Sequence, residues 1–333
     1  MTILVTGCAG FIGAAVVKML LARGETVVGI DNLNDYYAVQ LKHDRLAAIA
    51  ASPGAERFVF HKVDFSDDGA LDAALGPIAF DRIVHLGAQA GVRYSLINPR
   101  AYVQSNLAGH VNMLELARAR QVRHMVYASS SSVYGANTTL PFRVEDRVDH
   151  PISLYAATKK ADELMSETYS HLFRISQTGL RFFTVYGPWG RPDMALWLFT
   201  DAIVNDRPIV VYNQGKMQRD FTYIDDIVHG IVAALDNPPR DDGQPKAGGS
   251  VSPHSLYNIG NNRPEQLEDL ITTLENALGR KAVRNYQPLQ PGDVLATYAD
   301  ITDIQRDLGF TPSVPISVGI PRWVEWFRAY RGV

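Results

Sequence analysis

Cysteine is almost absent. Cys8 stands alone among 333 residues, which excludes an internal disulfide and fits a reducing compartment, so a cytoplasmic protein is expected. Long apolar runs are lacking as well. No stretch reaches the roughly 18 uninterrupted apolar residues of a membrane span, and no membrane partner is expected. The opening "MTILVTG" puts no charged segment before an apolar one, so it is not read as an export signal. Excess positive charge is missing too. Lys and Arg number 32 against 35 Asp and Glu, a net charge of −3, which argues against a nucleic-acid partner. The nine histidines have no ligand spacing, so no metal is expected. No internal repeat is found. What remains is a chain 46% hydrophobic, long enough for one large or two modest domains.

Apolar, β-branched runs recur at 2–7, 26–31, 57–64, 82–88, 124–130, 179–187 and 255–260. Helix-like patterns such as "AAVVKMLLARG" and "GHVNMLELARARQV" separate most of them. Continuous apolar strands alternating with helices predict a doubly wound parallel sheet of about seven strands, covered on both faces. After Gly187 the alternation loosens, and 188–225 and 261–333 read as a smaller α+β substrate-binding part. Residues 226–260 are expected to return to the first part, 1–187, through "SLYNIG". The run 236–254, rich in Pro, Gly and Asp, reads as an exposed loop.

"TGCAGFIG" sets Gly7, Gly10 and Gly13 between the first strand and a helix. Such glycines permit a tight turn, and the helix N-terminus offers N–H groups to a pyrophosphate. A glycine triplet alone also suits an ordinary strand–helix turn. The next strand ends in Asp31, however, and an acid there suits the two hydroxyls of an adenosine ribose. "DN" at 31–32 therefore points to NAD, where an arginine would favour NADP. Asp64 closes the third strand, and either faces the adenine edge or caps the strand end. Tyr155 and Lys159 lie four apart in a helical pattern and share a face. A free tyrosine, with a pKa of about 10, is a poor base near neutrality, and a nearby ammonium favours its phenolate. Four serines, 129–132, end the fifth strand, and ligands of such sheets bind at the carboxyl ends of strands.

These features together resemble the extended short-chain dehydrogenase/reductases that modify nucleotide sugars, over essentially the whole chain. The matching stretches are "TGxxGxxG" at 7–13, "DN" at 31–32, "SSVYG" at 131–135, "YxxxK" at 155–159, "RFFTVYGP" at 181–188, "RDFTYIDD" at 219–226 and "YNIGN" at 257–261. The resemblance implies a Rossmann-type fold with bound NAD. Gly7, Gly10, Phe11, Ile12, Gly13, Asp31, Asn32, Asn34, Asp64, Phe65, Leu86, Gly87 and Ala88 would line the cofactor, and Asn106 would support the site. Tyr155 would be the catalytic base. Lys159 would lower its pKa and hold a nicotinamide ribose hydroxyl, while Ser130 would hydrogen-bond the sugar O4.

Related 4,6-dehydratases carry "STDEVYG" and related decarboxylases "STSEVYG" where this chain reads "SSSSVYG". Ser131 and Ser132, read as substrate contacts, replace those acids. Without a group placed to move a proton at C5 or C6, oxidation and re-reduction at C4 remain, and the expected product is the 4-epimer. "DNLNDYYAVQLKHDRL", "FFTVYGPWGRPDMA" and "QPGDVLATYAD" resemble enzymes that epimerise UDP-glucuronate. In that branch an arginine after "GPWG", here Arg191, holds the sugar carboxylate; taken alone it also reads as a surface loop cation. The same register implies Thr184 and Arg219 at the pyrophosphate, Gln214 with the backbone around Val210–Tyr212 at the uracil, and Asp293 at the uridine ribose, while Arg93 is a second basic candidate near the pyrophosphate or sugar. A UDP-hexose 4-epimerase, a UDP-glucuronate decarboxylase and a non-catalytic NAD-sensing protein remain alternatives. A homodimer is expected, pairing helices near 101–120 and 154–173 into a four-helix bundle.

Overall fold

The computed structural model describes residues 1–76, 78–290 and 292–333; Pro77, and Pro291 of the "QPGDVLATYAD" stretch, lie outside them. In chain order the strands are β1 (Thr2–Thr6), β2 (Thr26–Asp31), β3 (Phe58–Lys62), β4 (Arg82–His85), β5 (His124–Ser130) and β6 (Gln177–Phe182). Then follow β7 (Thr184–Tyr186), β8 (Ile209–Tyr212), β9 (Gln218–Tyr223), β10 (His254–Ile259), β11 (Pro264–Gln266) and β12 (Arg284–Gln287). Seven of them form one sheet in the order β10-β6-β5-β4-β1-β2-β3, every pair parallel. Both faces are buried. Along β1, Ile3 and Val5 enter one apolar cluster while Leu4 enters the cluster on the opposite face. That alternation explains why these strands read as unbroken apolar runs. The expected doubly wound parallel sheet is the observed one.

The strand order reverses between β1 and β4, which opens a crevice beyond their carboxyl ends. β4 ends at His85, so Leu86–Ala88, expected as strand, run beyond the sheet along that crevice. The run 179–187 is two strands, not one. β6 stays in the main sheet, whereas β7 joins β9 and β11 in a second sheet. Between them the Phe183 N–H donates to the Ile259 carbonyl at 3.1 Å. β8 and β12 pair in parallel. The helices Ala195–Val204, Leu267–Leu278 and Ile316–Arg331 accompany these smaller sheets, while β10 returns to the main sheet beside β6.

Two buried arginines fasten distant segments of the chain. Arg45, on the helix Val39–Ala50, donates to the Ala9 carbonyl at 3.1 Å and to the Trp189 carbonyl at 2.7 Å. It thereby joins the glycine loop to the loop ahead of Arg191. Arg181 of β6 grips Glu163 with both arms, at 2.8 and 2.9 Å. Burial alone would raise the Glu163 carboxyl, but the Arg181 guanidinium outweighs it and holds the carboxyl at about 2. Glu163 therefore stays ionised and anchors the helix Leu154–Phe173 beneath β5 and β6.

Candidate active site

A cavity of about 870 Å³ occupies the crevice. Its wall at one end is the glycine loop. Gly7 has φ +67°, and a Cβ there would come within 2.9 Å of the Gly87 Cα. A Cβ on Gly13 would meet the Gly7 carbonyl oxygen at 2.1 Å. Only glycine fits, and the backbone of β1's turn lies open to a ligand. The helix Phe11–Ala22 begins at Gly10 with no side-chain cap, leaving its first N–H groups available to an anion. Asp31 lines the same cavity, its oxygens bound by the Ala9 and Leu33 N–H groups at 3.2 and 2.9 Å. Lys42, 3.7 Å away, balances its charge. Asn32, Asn34, Phe65, Leu86, Gly87 and Ala88 also line it. This cradle fits a dinucleotide.

Asp64 and Asn106 stand outside the cavity lining. Asp64 does not line the cavity; its carboxylate accepts from the Ser66 N–H and hydroxyl at 2.9 and 2.7 Å and from Asn32 at 2.9 Å. Of its two readings, the strand-end cap describes these contacts. Asn106 is buried in a π-helical turn, Val103–Ala108. It accepts from the Gln89 N–H at 2.8 Å and donates to the Thr158 hydroxyl at 3.0 Å. It thus fastens the loop after β4 to the helix carrying Tyr155 and Lys159.

That helix, Leu154–Phe173, starts at Ser153, whose hydroxyl caps the Ala156 N–H at 3.1 Å. Tyr155 packs edge-on against Tyr102, ring centroids 6.0 Å apart. The Lys159 ammonium donates to the Ala128 carbonyl at 2.9 Å and to Asp162 at 3.1 Å. The serine run divides its labour. Ser129 also lines the cavity, but its hydroxyl is committed to Glu163 at 2.7 Å. Ser130, Ser131 and Ser132 line the cavity, and the Ser130 hydroxyl both receives the Ser132 N–H and donates to the Ser132 hydroxyl, each at 3.1 Å.

Toward the smaller sheets the wall comprises Arg93, Thr184, Arg191, Val210, Tyr212, Arg219 and Asp293. Arg93 pairs with Asp293 at 2.8 Å and covers the Tyr212 ring at 4.5 Å. Arg219 donates to the Val294 carbonyl at 2.7 Å and so holds the segment beside Asp293. Gln214 is the exception. Left-handed backbone at Asn213 and Gln214 (φ 51° and 54°) accompanies an exposed Gln214 outside the lining, and Met217 and Leu267 supply that wall instead.

Arg191 holds a partner that sequence reasoning missed. Its Nε and Nη2 close on Asp193 at 3.0 and 2.6 Å, and Tyr36 donates to the same carboxylate at 3.1 Å. Burial opposes the charge on Asp193, but Arg191 outweighs it and keeps the carboxyl below its usual range. The acid two residues after Arg191, and the tyrosine in "NDYY", were the available signals. Cys8 is buried in the glycine loop, where burial raises its thiol, and burial lowers the His85 imidazole to about 3. Neither is primed for chemistry. Among the described residues no cluster of His, Cys, Asp or Glu is arranged to hold a metal, and no helix is long and apolar enough to cross a membrane.

Comparison with known proteins agrees with this geometry. The model of the NAD dependent epimerase/dehydratase family matches residues 3–260. A probable UDP-glucuronate 4-epimerase of Rhizobium meliloti (strain 1021) is 48% identical over 333 residues, covering 98% of this chain and 97% of its own. The crystal structure of a UDP-glucuronic acid 4-epimerase from Bacillus cereus, in complex with UDP-glucuronic acid and NAD, superposes with a TM-score of 0.86 at 32% identity, covering 99% of this chain and 100% of that one. A UDP-glucose 4-epimerase from Thermotoga maritima, solved with UDP-glucose, gives 0.87 at 27% identity over 99% and 100% of the two chains. Backbone shape alone does not separate the acid sugar from the neutral one.

Proposed function

The chain belongs to the NAD-dependent epimerase/dehydratase family, and from that premise we propose that it interconverts UDP-glucuronate and UDP-galacturonate at C4. The observation that carries this reading is one cavity lined together by Tyr155, Lys159, the acid-free serine run and the Arg191 fork. Gly7, Gly10 and Gly13 would hold the pyrophosphate of NAD and Asp31 the adenosine ribose. NAD, when bound, supplies the reversible acceptor for the C4 hydride. Tyr155 takes the proton of the sugar 4-hydroxyl and later returns it. Lys159 favours the phenolate and holds a ribose hydroxyl. Ser130 hydrogen-bonds O4. Serine at 131 and 132 leaves the positions where related dehydratases and decarboxylases carry acids without a carboxyl to move a proton at C5, so the 4-keto sugar turns over and is reduced on its other face. Arg191 grips the sugar carboxylate, which selects the acid and holds the carboxylate bond out of line with the ketone π system.

One observation favours a second reading, a 4-epimerase of neutral UDP-hexoses. The Arg191 fork is already closed on Asp193, so that wall is internally neutralised. Incubation with UDP-glucuronate or UDP-glucose, without added NAD, separates the readings. Conversion of the acid sugar to its 4-epimer well ahead of the neutral sugar is expected. Equal rates would favour the second reading, and a pentose nucleotide as the main product would establish a decarboxylase.

The enzyme is further proposed to be a homodimer built as a four-helix bundle. The Val103–Ala108 turn with the helix Gly109–Ala119 packs on the helix Leu154–Phe173, and this pair exposes Val103, Leu164, Leu172 and Phe173. Large apolar side chains left exposed on packed helices are candidates for an interface. Sedimentation should give the mass of two chains at micromolar concentration, and Leu164→Glu with Leu172→Glu should give one. Native protein sedimenting as a single chain would contradict the bundle.

A further inference from the structure

We propose that Asp162 is a positioning residue that offsets the charge Lys159 presents to Tyr155, and so sets the pH range in which Tyr155 gives up its proton. The inference rests on the roles proposed above for Tyr155 and Lys159.

The geometry runs along a single stripe of the helix Leu154–Phe173. Tyr155, Lys159 and Asp162 are spaced at i, i+4 and i+7 and so share one face. Tyr155 and Lys159 line the cavity; Asp162 lies one turn further and does not. The Lys159 and Asp162 side chains are 4% and 1% exposed, with N–O 3.1 Å. The other carboxyl oxygen of Asp162, Oδ1, is buried without a partner among the described residues. A buried acid with a bare oxygen costs stability, and a simple helix-packing role would be met more cheaply by an apolar side chain.

Around Asp162, among the described residues, the one other nearby charge is that of Glu163, which adds to the rise of its carboxyl. Glu163, its neighbour on the helix, is committed to Arg181 and Ser129. From the helix Gly109–Ala119 comes His110, whose ring lies 5.3 Å from that of His85 on β4 and 5.4 Å from that of Tyr127 on β5. Burial pushes both imidazoles far below neutrality and the Tyr127 phenol far above it, so all three stay uncharged. Lys159 is thus the cation that Asp162 meets. Burial raises the Asp162 carboxyl to about 7, against the pull of Lys159. Above that pH the ionised acid offsets the ammonium. Below it the ammonium acts on the phenol unopposed, and the phenol becomes more acidic just where protons are plentiful. Compared with a neutral residue, Asp162 therefore holds the Tyr155 midpoint higher wherever its carboxyl is ionised.

The test is the ultraviolet phenolate absorbance of the NAD-loaded enzyme against pH, with Tyr155→Phe subtracted, beside the acid limb of kcat/KM. Asp162→Asn keeps an acceptor for Lys159 but removes the charge. It should move the Tyr155 midpoint and the acid limb down by roughly half to one pH unit. Asp162→Glu, which retains the charge, should stay near the native midpoint. If Asp162→Asn does not fold, Asp162→Ala carries the same expectation. Lys159→Met should raise the midpoint. A Lys159→Met midpoint equal to the native one would overturn the reading of Lys159 and this inference with it. A raised Lys159→Met midpoint with Asp162→Asn unmoved, or moved upward, overturns this inference alone. A purely structural Asp162 would lower the melting temperature and leave the midpoint in place.

Discussion

Tyr155→Phe should cut kcat for epimerisation by roughly 10²–10⁴-fold while the protein stays folded with its cofactor in place. The ring's packing against Tyr102 depends on the aromatic edge, and the Thr158 hydroxyl binds the backbone carbonyl of residue 155 at 2.9 Å; neither needs the phenol oxygen. No neighbour is ready to replace the lost base. Ser130 and Ser132 are hydrogen-bonded to each other, and Lys159 is held by Ala128 and Asp162. The residual rate should also lose the acid limb of its pH profile, because the group that produced it is gone. Turnover within tenfold of native (about 1.4 kcal/mol of barrier) would remove Tyr155 from the mechanism.

Arg191→Ala should be the most damaging change outside the helix Leu154–Phe173. For UDP-glucuronate, kcat/KM should fall on the order of 10²-fold, about 2.7 kcal/mol of transition-state stabilisation, as the charge-assisted contact to the sugar carboxylate is lost. The structure adds a reason beyond the missing contact. With Arg191 removed, Asp193 keeps its negative charge inside the cavity, where it repels an anionic sugar. The double variant Arg191→Ala with Asp193→Ala should therefore recover part of the loss. UDP-glucose, with no carboxylate to repel, should change little. A larger share of pentose nucleotide is expected from the single variant, since nothing then fixes the carboxylate of the 4-keto acid. Equal losses for the acid and neutral sugars would contradict the assignment.

The features legible in the sequence are those whose physics is local. The Gly7–Gly10–Gly13 turn, the acid at the end of β2 and the i, i+4 pair Tyr155 and Lys159 each follow from spacing within one element. The sheet was readable because β-branched apolar runs recur between helical patterns. Partners brought together across the fold were not. Nothing in "KKADE" says that Asp162 turns back to Lys159 while Glu163 turns to Arg181, 18 residues away. The break between β6 and β7 was hidden because Phe182, Phe183 and Val185 are all buried, so the apolar run continues across it with only Thr184 between. Asp64 and Gln214 depended on turn geometry, which places a side chain by backbone angles that composition does not encode.

The return of β10 to the main sheet bears on how this chain can be divided. β10 lies outside β6 and pairs with all six of its residues, from His254↔Gln177 to Ile259↔Phe182. A fragment ending at Gly187 would contain every cofactor-lining residue proposed here, yet would bare the whole length of β6 as an open strand. The helix Ile224–Asp236, which packs against the helix Phe11–Ala22 and β5, would be lost with it. An unpaired, apolar strand edge is a template for joining other chains. The strand that closes the main sheet is synthesised only after β7, β8 and β9 of the smaller sheets, so the sheets cannot be exchanged between relatives as simple consecutive segments.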